Sequence, residues 1–438
     1  MLLDQFAGRH VLMLQGPNGP FFRKVAAALR RLGARVTKVN LNAADLLFYP
    51  GPDARSYRGR LSEFGDYIGA TLQDTGADCL ILFGDERPYH REAIKVAKAR
   101  DIDFFVFEEG YIRPDFVTFE KGGVNGNSSL PRKPSFYKRL KPKPLTEPRP
   151  VGNTFWWAAW WALLNSLAIT FLWFLFPRYR HHRDVNFFRQ TSYWLRGGAR
   201  KVWRKWRDGN VTDRLSTELS GKYFLVPLQV EGDSQIGHSR FKSISEFLDQ
   251  IVRSFAAHAP RGTCLVVKDH PMGRPYTDYT AQLRRLGFEL GIADRILHID
   301  CVHLPTVLRH ARGTVVINST VGLSSVYHGT PTKCLGTAVY DIAGLTHQGP
   351  LGRFWRAPTK VEGRLHLQFH WYVREHTQIE GSVWTDLFWV TDWASASPQL
   401  EVQDRVDRGH LAPDGGMGVA LQAPGPQAEH VPALARDS

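Results

Sequence analysis

Four apolar runs in the first 110 residues, HVLMLQG, ARVTKVNL, ADCLILFG and DIDFFVFEEG, alternate with segments whose apolar residues return at helical spacing. Those helices are PFFRKVAAALRRLG, which Gly33 ends, LSEFGDYIGATLQDTG and PYHREAIKVAKARD. Strands joined by single helices through short links run parallel, because each crossover returns the chain to the same end of the sheet. The rhythm therefore predicts an α/β layer structure with ligands at the carboxyl ends of its strands. It starts again near Lys222: KYFLVPLQV, TCLVVKDHP, TVVINS and TPTKCLG read as strands, and SISEFLDQIVRSFAAHA, LPTVLRHA and STVGLSSVYHG as helices. At 438 residues the chain exceeds one ordinary hydrophobic core, so two α/β domains are expected, residues 1–140 and 216–400.

The residues between them, 141–215, are of another kind. FYKRLKPKPLTEPRPVG is basic and proline-rich and reads as a linker; Thr154 to Pro177 carries no charge and five tryptophans, with RYRHHRD and RGGARKVWRKWRDG following. The uncharged segment is long enough to cross a bilayer. A single crossing would put the two α/β halves on opposite sides of the membrane, which conflicts with one cleft built from both. A helix buried between domains is an alternative; the tryptophans and basic flanks favour a membrane-associating insertion lying in the interface, gripping anionic headgroups. Residues 401–438 are rich in Ala, Gly and Pro without periodicity and are expected to be a disordered tail. The N-terminus lacks the basic-then-apolar build of a signal peptide, and the four widely spaced cysteines form no CxxC or dense framework, so a reducing, cytoplasmic location is expected.

Polar clusters follow the strands. Gln15–Gly16–Pro17–Asn18–Gly19 is a turn feeding a helix that matches neither GxGxxG nor a P-loop; it either admits a ligand to backbone amides or is a tight turn only. Gly84–Asp85–Glu86–Arg87 ends the next strand, and FEEGYIRPD ends the one after. Adjacent residues on a strand point to opposite faces, so Glu108 and Glu109 cannot share one cavity while the strand continues. One is the candidate catalytic acid; the other pairs with Arg113 or a backbone N–H, unless both merely cap a helix or balance nearby arginines. In the second half, Lys268–Asp269–His270–Pro271 offers a cation and an imidazole on a fixed backbone. Asn318–Ser319–Thr320–Val321–Gly322 offers hydroxyls and helix N-terminal amides that can hold a phosphate without metal. An anion site facing acids across a cleft is the outline of a two-domain transferase with a nucleotide donor. No His/Cys/Asp/Glu set has metal-ligand spacing and no GxSxG occurs, so no metal or other cofactor is expected.

The stretches QGPNGPFFRKVAAAL, FGDERPYHREAIKVA, FEEGYIRPDFVTFEKGGVNGNSSLPR, KDHPMGR and VINSTVGLSSVYHGTPTKCLG resemble the capsule polysaccharide biosynthesis and export family, nearest its KpsS-like members from Gram-negative bacteria. The resemblance implies two Rossmann-like domains facing a cleft, a GT-B-like glycosyltransferase. It implies a retaining β-Kdo transferase that uses CMP-Kdo and a phosphatidylglycerol-type lipid acceptor. The product would start the poly-Kdo linker of a capsular polysaccharide on the cytoplasmic face of the inner membrane. Other capsule biosynthesis and ABC export proteins are implied partners. In that picture His270–Pro271 and Ser319/Thr320 correspond to the CMP-phosphate site, and the N-terminal acids serve the acceptor and reaction centre. The chemistry agrees: a sugar leaving CMP builds cationic character at the sugar and negative charge on the phosphate. Lys268, His270 and helix amides suit the phosphate, and a carboxylate, Glu109 first and Asp85 second, suits the sugar. The formal charge of +14 then reads as attraction to anionic lipid rather than to nucleic acid, for which no motif is present. Two other readings stand beside this one: a non-catalytic export or coupling protein, and a transferase using another nucleotide sugar.

Overall fold

The computed structural model describes residues 3–181, 185–231, 234–273 and 276–385. The first half forms strands β1 (His10–Met13), β2 (Arg35–Asn40), β3 (Ala54–Ser56), β4 (Cys79–Phe83), β5 (Asp103–Glu109) and β6 (Phe116–Lys121). The second forms β7 (Tyr223–Pro227), β8 (Cys264–Lys268), β9 (Ile296–Ile299), β10 (Gly313–Val316) and β11 (Thr332–Cys334). The chain then returns through the helix Gly363–Thr377 and adds β12 (Gln378–Glu380) to the first sheet, antiparallel to β6. Residues 378–380 thus complete the sheet of the other half.

The first sheet is ordered β12-β6-β5-β4-β1-β2-β3 and the second β11-β10-β7-β8-β9. Strands β1 to β5 and all of the second sheet pair parallel, as the strand–helix rhythm requires; β6 is antiparallel. Strands β1, β4 and β7 are buried along their whole length because helices cover both faces, which is why they read as unbroken apolar runs. Phe21, Val25, Leu29, Phe105 and Phe107 pack on one face of the first sheet, and Leu12, Ile68, Leu80, Leu82 and Val106 on the other.

Both halves share one doubly wound order. Strand order reverses between β1 and β4 in the first sheet and between β7 and β10 in the second. At such a switch point the two connections leave for opposite faces and open a crevice at the strands' carboxyl ends. The architecture is an α/β fold with two sheet-bearing domains, consistent with a GT-B-like arrangement.

The expected membrane-associating insertion is corrected by the structure. Among the described residues no helix is long and apolar enough to cross a membrane. The uncharged segment is a 17-residue helix, Phe155–Phe171, which breaks into the 3₁₀ turn Trp173–Leu175. It is docked on protein: Ala168 and Phe176 cluster with Ala43 and Ala44 of the helix Ala43–Phe48. Trp161 meets Phe48 edge-on at 5.9 Å and donates its Nε1–H to the Trp384 carbonyl at 3.2 Å, while Phe155, Trp156, Trp157, Trp160, Phe171, Trp173 and Phe174 stay exposed. The helix braces the first domain by ordinary packing, which hydropathy alone does not distinguish from insertion. The tail 401–438 lies outside the described residues.

Candidate active site

At the first switch point, the turn after β1 is tied down by side chains from elsewhere in the chain. The buried Gln15 donates to Tyr179 Oη (3.0 Å), and Arg87 Nη1 donates to the Gly16 carbonyl (2.9 Å). The turn after β4 carries Asp85, which is 2% exposed, and Glu86. Beneath it the buried His90 is pushed down to about 3 by desolvation, so its neutral ring donates Nδ1–H to the Gly84 carbonyl at 2.7 Å. Burial pushes the Asp85 carboxyl up, opposed by the Val124 N–H and the Asn127 amide that donate to its Oδ2 at 3.0 and 3.1 Å.

The strand β5 continues through Glu109, so the two glutamates do take opposite faces. Glu109 shares the side of Phe105 and Phe107; it is 38% exposed and pairs with Arg113 Nη2 at 2.7 Å. Glu108 lies on the side of Val106, beside Gly84, and its Oε1 accepts the Glu109 N–H at 3.0 Å. The stretch beyond them is tied down from far along the chain: Gln378 Oε1 accepts the Tyr111 N–H at 2.9 Å.

At the second switch point Asn318 is buried, accepting from Gln229 Nε2 (3.1 Å) and donating to the Gln235 carbonyl (2.7 Å). Ser319 caps the helix Thr320–Tyr327 by accepting the Val321 N–H at 3.2 Å. Gly322 is required there by close approach, since a Cβ would collide with the Tyr340 hydroxyl that bonds the Ser319 carbonyl. Lys268 is buried and donates Nζ–H to the Asp269 carbonyl at 3.0 Å; the half-buried His270 accepts the Met272 N–H on Nδ1 at 3.1 Å, with Pro271 next to it. Asp269 itself faces inward. Its carboxylate binds Arg204 and, at 2.9 Å, His298 Nε2. A small cavity beside His270 is lined by Gln229, Glu231, Thr277 and Tyr279. A larger one of about 240 Å³ lies against Phe105, Phe119, Lys121 and Tyr372. It opens near the amino end of β5, where Lys121 pairs Phe105, and so at the wrong end of the sheet for the switch point.

The two switch points meet. His238, in the turn Ser234–His238 after β7, reaches across with Nε2 at 4.0 Å from Asp85 Oδ1 and 3.8 Å from Glu86 Oε1. Gly126 gives it room, because a Cβ there would land on the imidazole. Arg132 fastens the same junction, donating to the carbonyls of Ala338 and, at 3.1 Å, Asn125. His238 and Arg132 were not among the residues singled out by sequence, and QVEGDSQIGHSRF carries no spacing that flags the histidine.

Near the junction lies an acid that sequence reasoning also missed, Glu120, which accepts from Tyr111 Oη (2.6 Å) and from Ser128 Oγ. Burial pushes its carboxyl up to about 7 from an ordinary 4.5. Above pH 4.5 the unfolded chain therefore releases a proton that the folded chain keeps. The resulting penalty is absent below pH 4.5, grows as pH rises, and is complete above about 7. Over that window Glu120 should lower unfolding free energy by about 3 kcal/mol. In denaturant titrations at several pH values, Glu120→Gln is expected to flatten this slope; an unchanged slope would reject the assignment.

Comparison with known proteins shows the family. The profile described as "Capsule polysaccharide biosynthesis protein" matches residues 78–384, from β4 through β12. The chain belongs to the capsule polysaccharide biosynthesis family. It is 38% identical over 384 residues to the "Capsule polysaccharide export protein KpsS" of Escherichia coli, covering 85% of this chain and 96% of that one. It is 36% identical over 390 residues to the "Capsule polysaccharide modification protein LipB" of Neisseria meningitidis, covering 87% and 93%. Among solved structures, the β-Kdo 2,7 transferase KpsC of Thermosulfurimonas dismutans overlays at a TM-score of 0.38 with 15% identity, over 82% of this chain and 88% of that one.

Proposed function

We propose that this member of the capsule family is a glycosyltransferase that holds a nucleotide-sugar donor at the β7/β10 crevice and the reacting sugar against the acids after β4 and β5. The observation that carries the reading is the meeting of two doubly wound switch points at Asp85, Glu86 and His238. Ligand crevices of two α/β sheets that face one another form one cleft with chemically different walls. The second wall supplies Lys268, His270 and the N-terminal amides of the helix Thr320–Tyr327 for a departing phosphate. The first supplies Glu109, Glu108 or Asp85 to support the cationic sugar.

In its specific form the donor is CMP-Kdo, transferred with retention to a phosphatidylglycerol-type lipid at the cytoplasmic face of the inner membrane. The family resemblance supports that form. The cleft walls described here suit any nucleotide sugar, so a different donor meets the same geometry. A second reading, coupling of the polymer to export, is favoured by the name of the Escherichia coli relative. Incubation of the purified chain with CMP-Kdo and with uridine-linked sugars, each with lipid and oligosaccharide acceptors, separates the three by the mass of the product.

A further inference from the structure

The junction that joins the two crevices holds three metal-ligating side chains far apart in sequence. Asp85, Glu86 and His238 bring one ligand atom each within 4.8 Å of the others. Two of those atoms are buried and have no hydrogen-bond partner: Asp85 Oδ1, on a side chain 1% exposed, and His238 Nε2, on a side chain 7% exposed. At 3.8 and 4.0 Å from the carboxylate oxygens, the imidazole nitrogen is too far for a hydrogen bond. Buried polar atoms left so call for an explanation, and an ion between them is one.

We propose that Asp85, Glu86 and His238 form a binding site for a divalent transition-metal ion of the zinc or manganese class. Ligands at 2.0–2.2 Å around a tetrahedral ion sit roughly 3.4 Å from each other. The two separations to the imidazole, 4.0 and 3.8 Å, would contract by about half an ångström to reach that spacing. The supporting shell is already built. The Val124 N–H and Asn127 Nδ2 occupy Asp85 Oδ2, which turns Oδ1 toward the histidine, and the same Asn127 amide holds Glu86 Oε1 at 3.1 Å. Hydrogen bonds of this kind orient first ligands in metal sites. No lysine or arginine among the described residues pairs with either carboxylate, so an ion would supply the missing positive charge. One imidazole with two carboxylates suits zinc or manganese better than a thiolate-seeking metal. Three protein ligands leave a coordination position free, and Glu86, at 20% exposure, opens it toward solvent. The ion would fasten the segment after β7 to the strand ends of the first sheet.

The test is direct ion binding by the full chain after chelator treatment, followed calorimetrically with zinc and then with manganese. One saturable ion per chain is expected for at least one of the two metals, with a rise in melting temperature. His238→Ala should weaken binding at least tenfold and abolish the rise. Glu86→Gln, at a partly exposed position, should weaken it too, and it decides the matter if His238→Ala does not fold. Absence of saturable binding of either metal to the wild type would overturn the proposal. So would equal affinity in the wild type and the variants, since the ion would then sit elsewhere. Binding is read without sugar transfer, so failure of the glycosyltransferase reading leaves this result standing, and the reverse.

Discussion

Arg204→Ala is expected to destabilise the second domain by about 3–5 kcal/mol, the usual cost of removing one partner from a buried ion pair. Arg204 is 1% exposed, in the long basic helix Phe187–Arg207, and its Nη1 lies between Asp269 and Asp300, 3.0 Å from the latter. Truncation removes the guanidinium from between two buried carboxylates, so less offsets the desolvation each has suffered. Because Asp269 precedes His270, the loop that presents the imidazole should loosen as well. Chemical denaturation of the variant measures the loss. A change below about 1 kcal/mol, typical of an exposed pair, would mean that the cluster is hydrated and does not anchor the loop.

The second large effect is on chemistry. Glu109→Gln and His270→Ala are each expected to lower sugar transfer by roughly 10²–10³, the scale seen when a group that stabilises developing charge is removed. Neither should disturb folding much. Glu109 is half exposed and loses one surface pair with Arg113, worth at most about 1 kcal/mol, and His270 stands at the cavity rim. Glu108→Gln is the informative partner, because Glu108 lies on the other face of β5, beside Gly84 and the Asp85 turn. A larger loss there than at Glu109 would move the reacting sugar to the Asp85 side of the sheet. Wild-type turnover in all three variants would exclude these acids and the imidazole from the reaction.

The parallel strands were legible because burial on both faces leaves unbroken apolar runs, as in CLILF and YFLVP, between helices with plain amphipathic spacing. The strand ends were legible for the same reason, since polarity returns at Gly84–Asp85 straight after Phe83 and at Gln229, one residue past Leu228, after Pro227. What escaped the sequence depends on contacts between distant residues. β6 is an antiparallel partner that follows the turn after Tyr111, and β12 is three residues long and has meaning only beside β6. The uncharged helix looked membrane-bound because hydropathy counts apolar atoms and not what they touch; Ala43, Ala44 and Phe48 provide a protein surface for one side of it, while its tryptophan-rich side stays exposed. The junction was hidden most completely. His238 lies in a polar loop, and its acids belong to the other half of the chain. Likewise Asp269 stood inside the KDHP stretch as if beside the ligand, whereas it is consumed by Arg204 and His298.

The central claim is that one cleft carries a nucleotide-sugar donor on its second wall and a reacting sugar on its first. It is tested most directly by incubating the purified wild-type chain with CMP-Kdo and a short-chain phosphatidylglycerol, with uridine-linked sugars and oligosaccharide acceptors in parallel. Product masses are then read. The account predicts an acceptor carrying one added sugar from at least one donor, with CMP-Kdo and the lipid giving the Kdo adduct if the specific form holds. Folded protein that leaves every intact donor untransferred would contradict it and favour a coupling role in export.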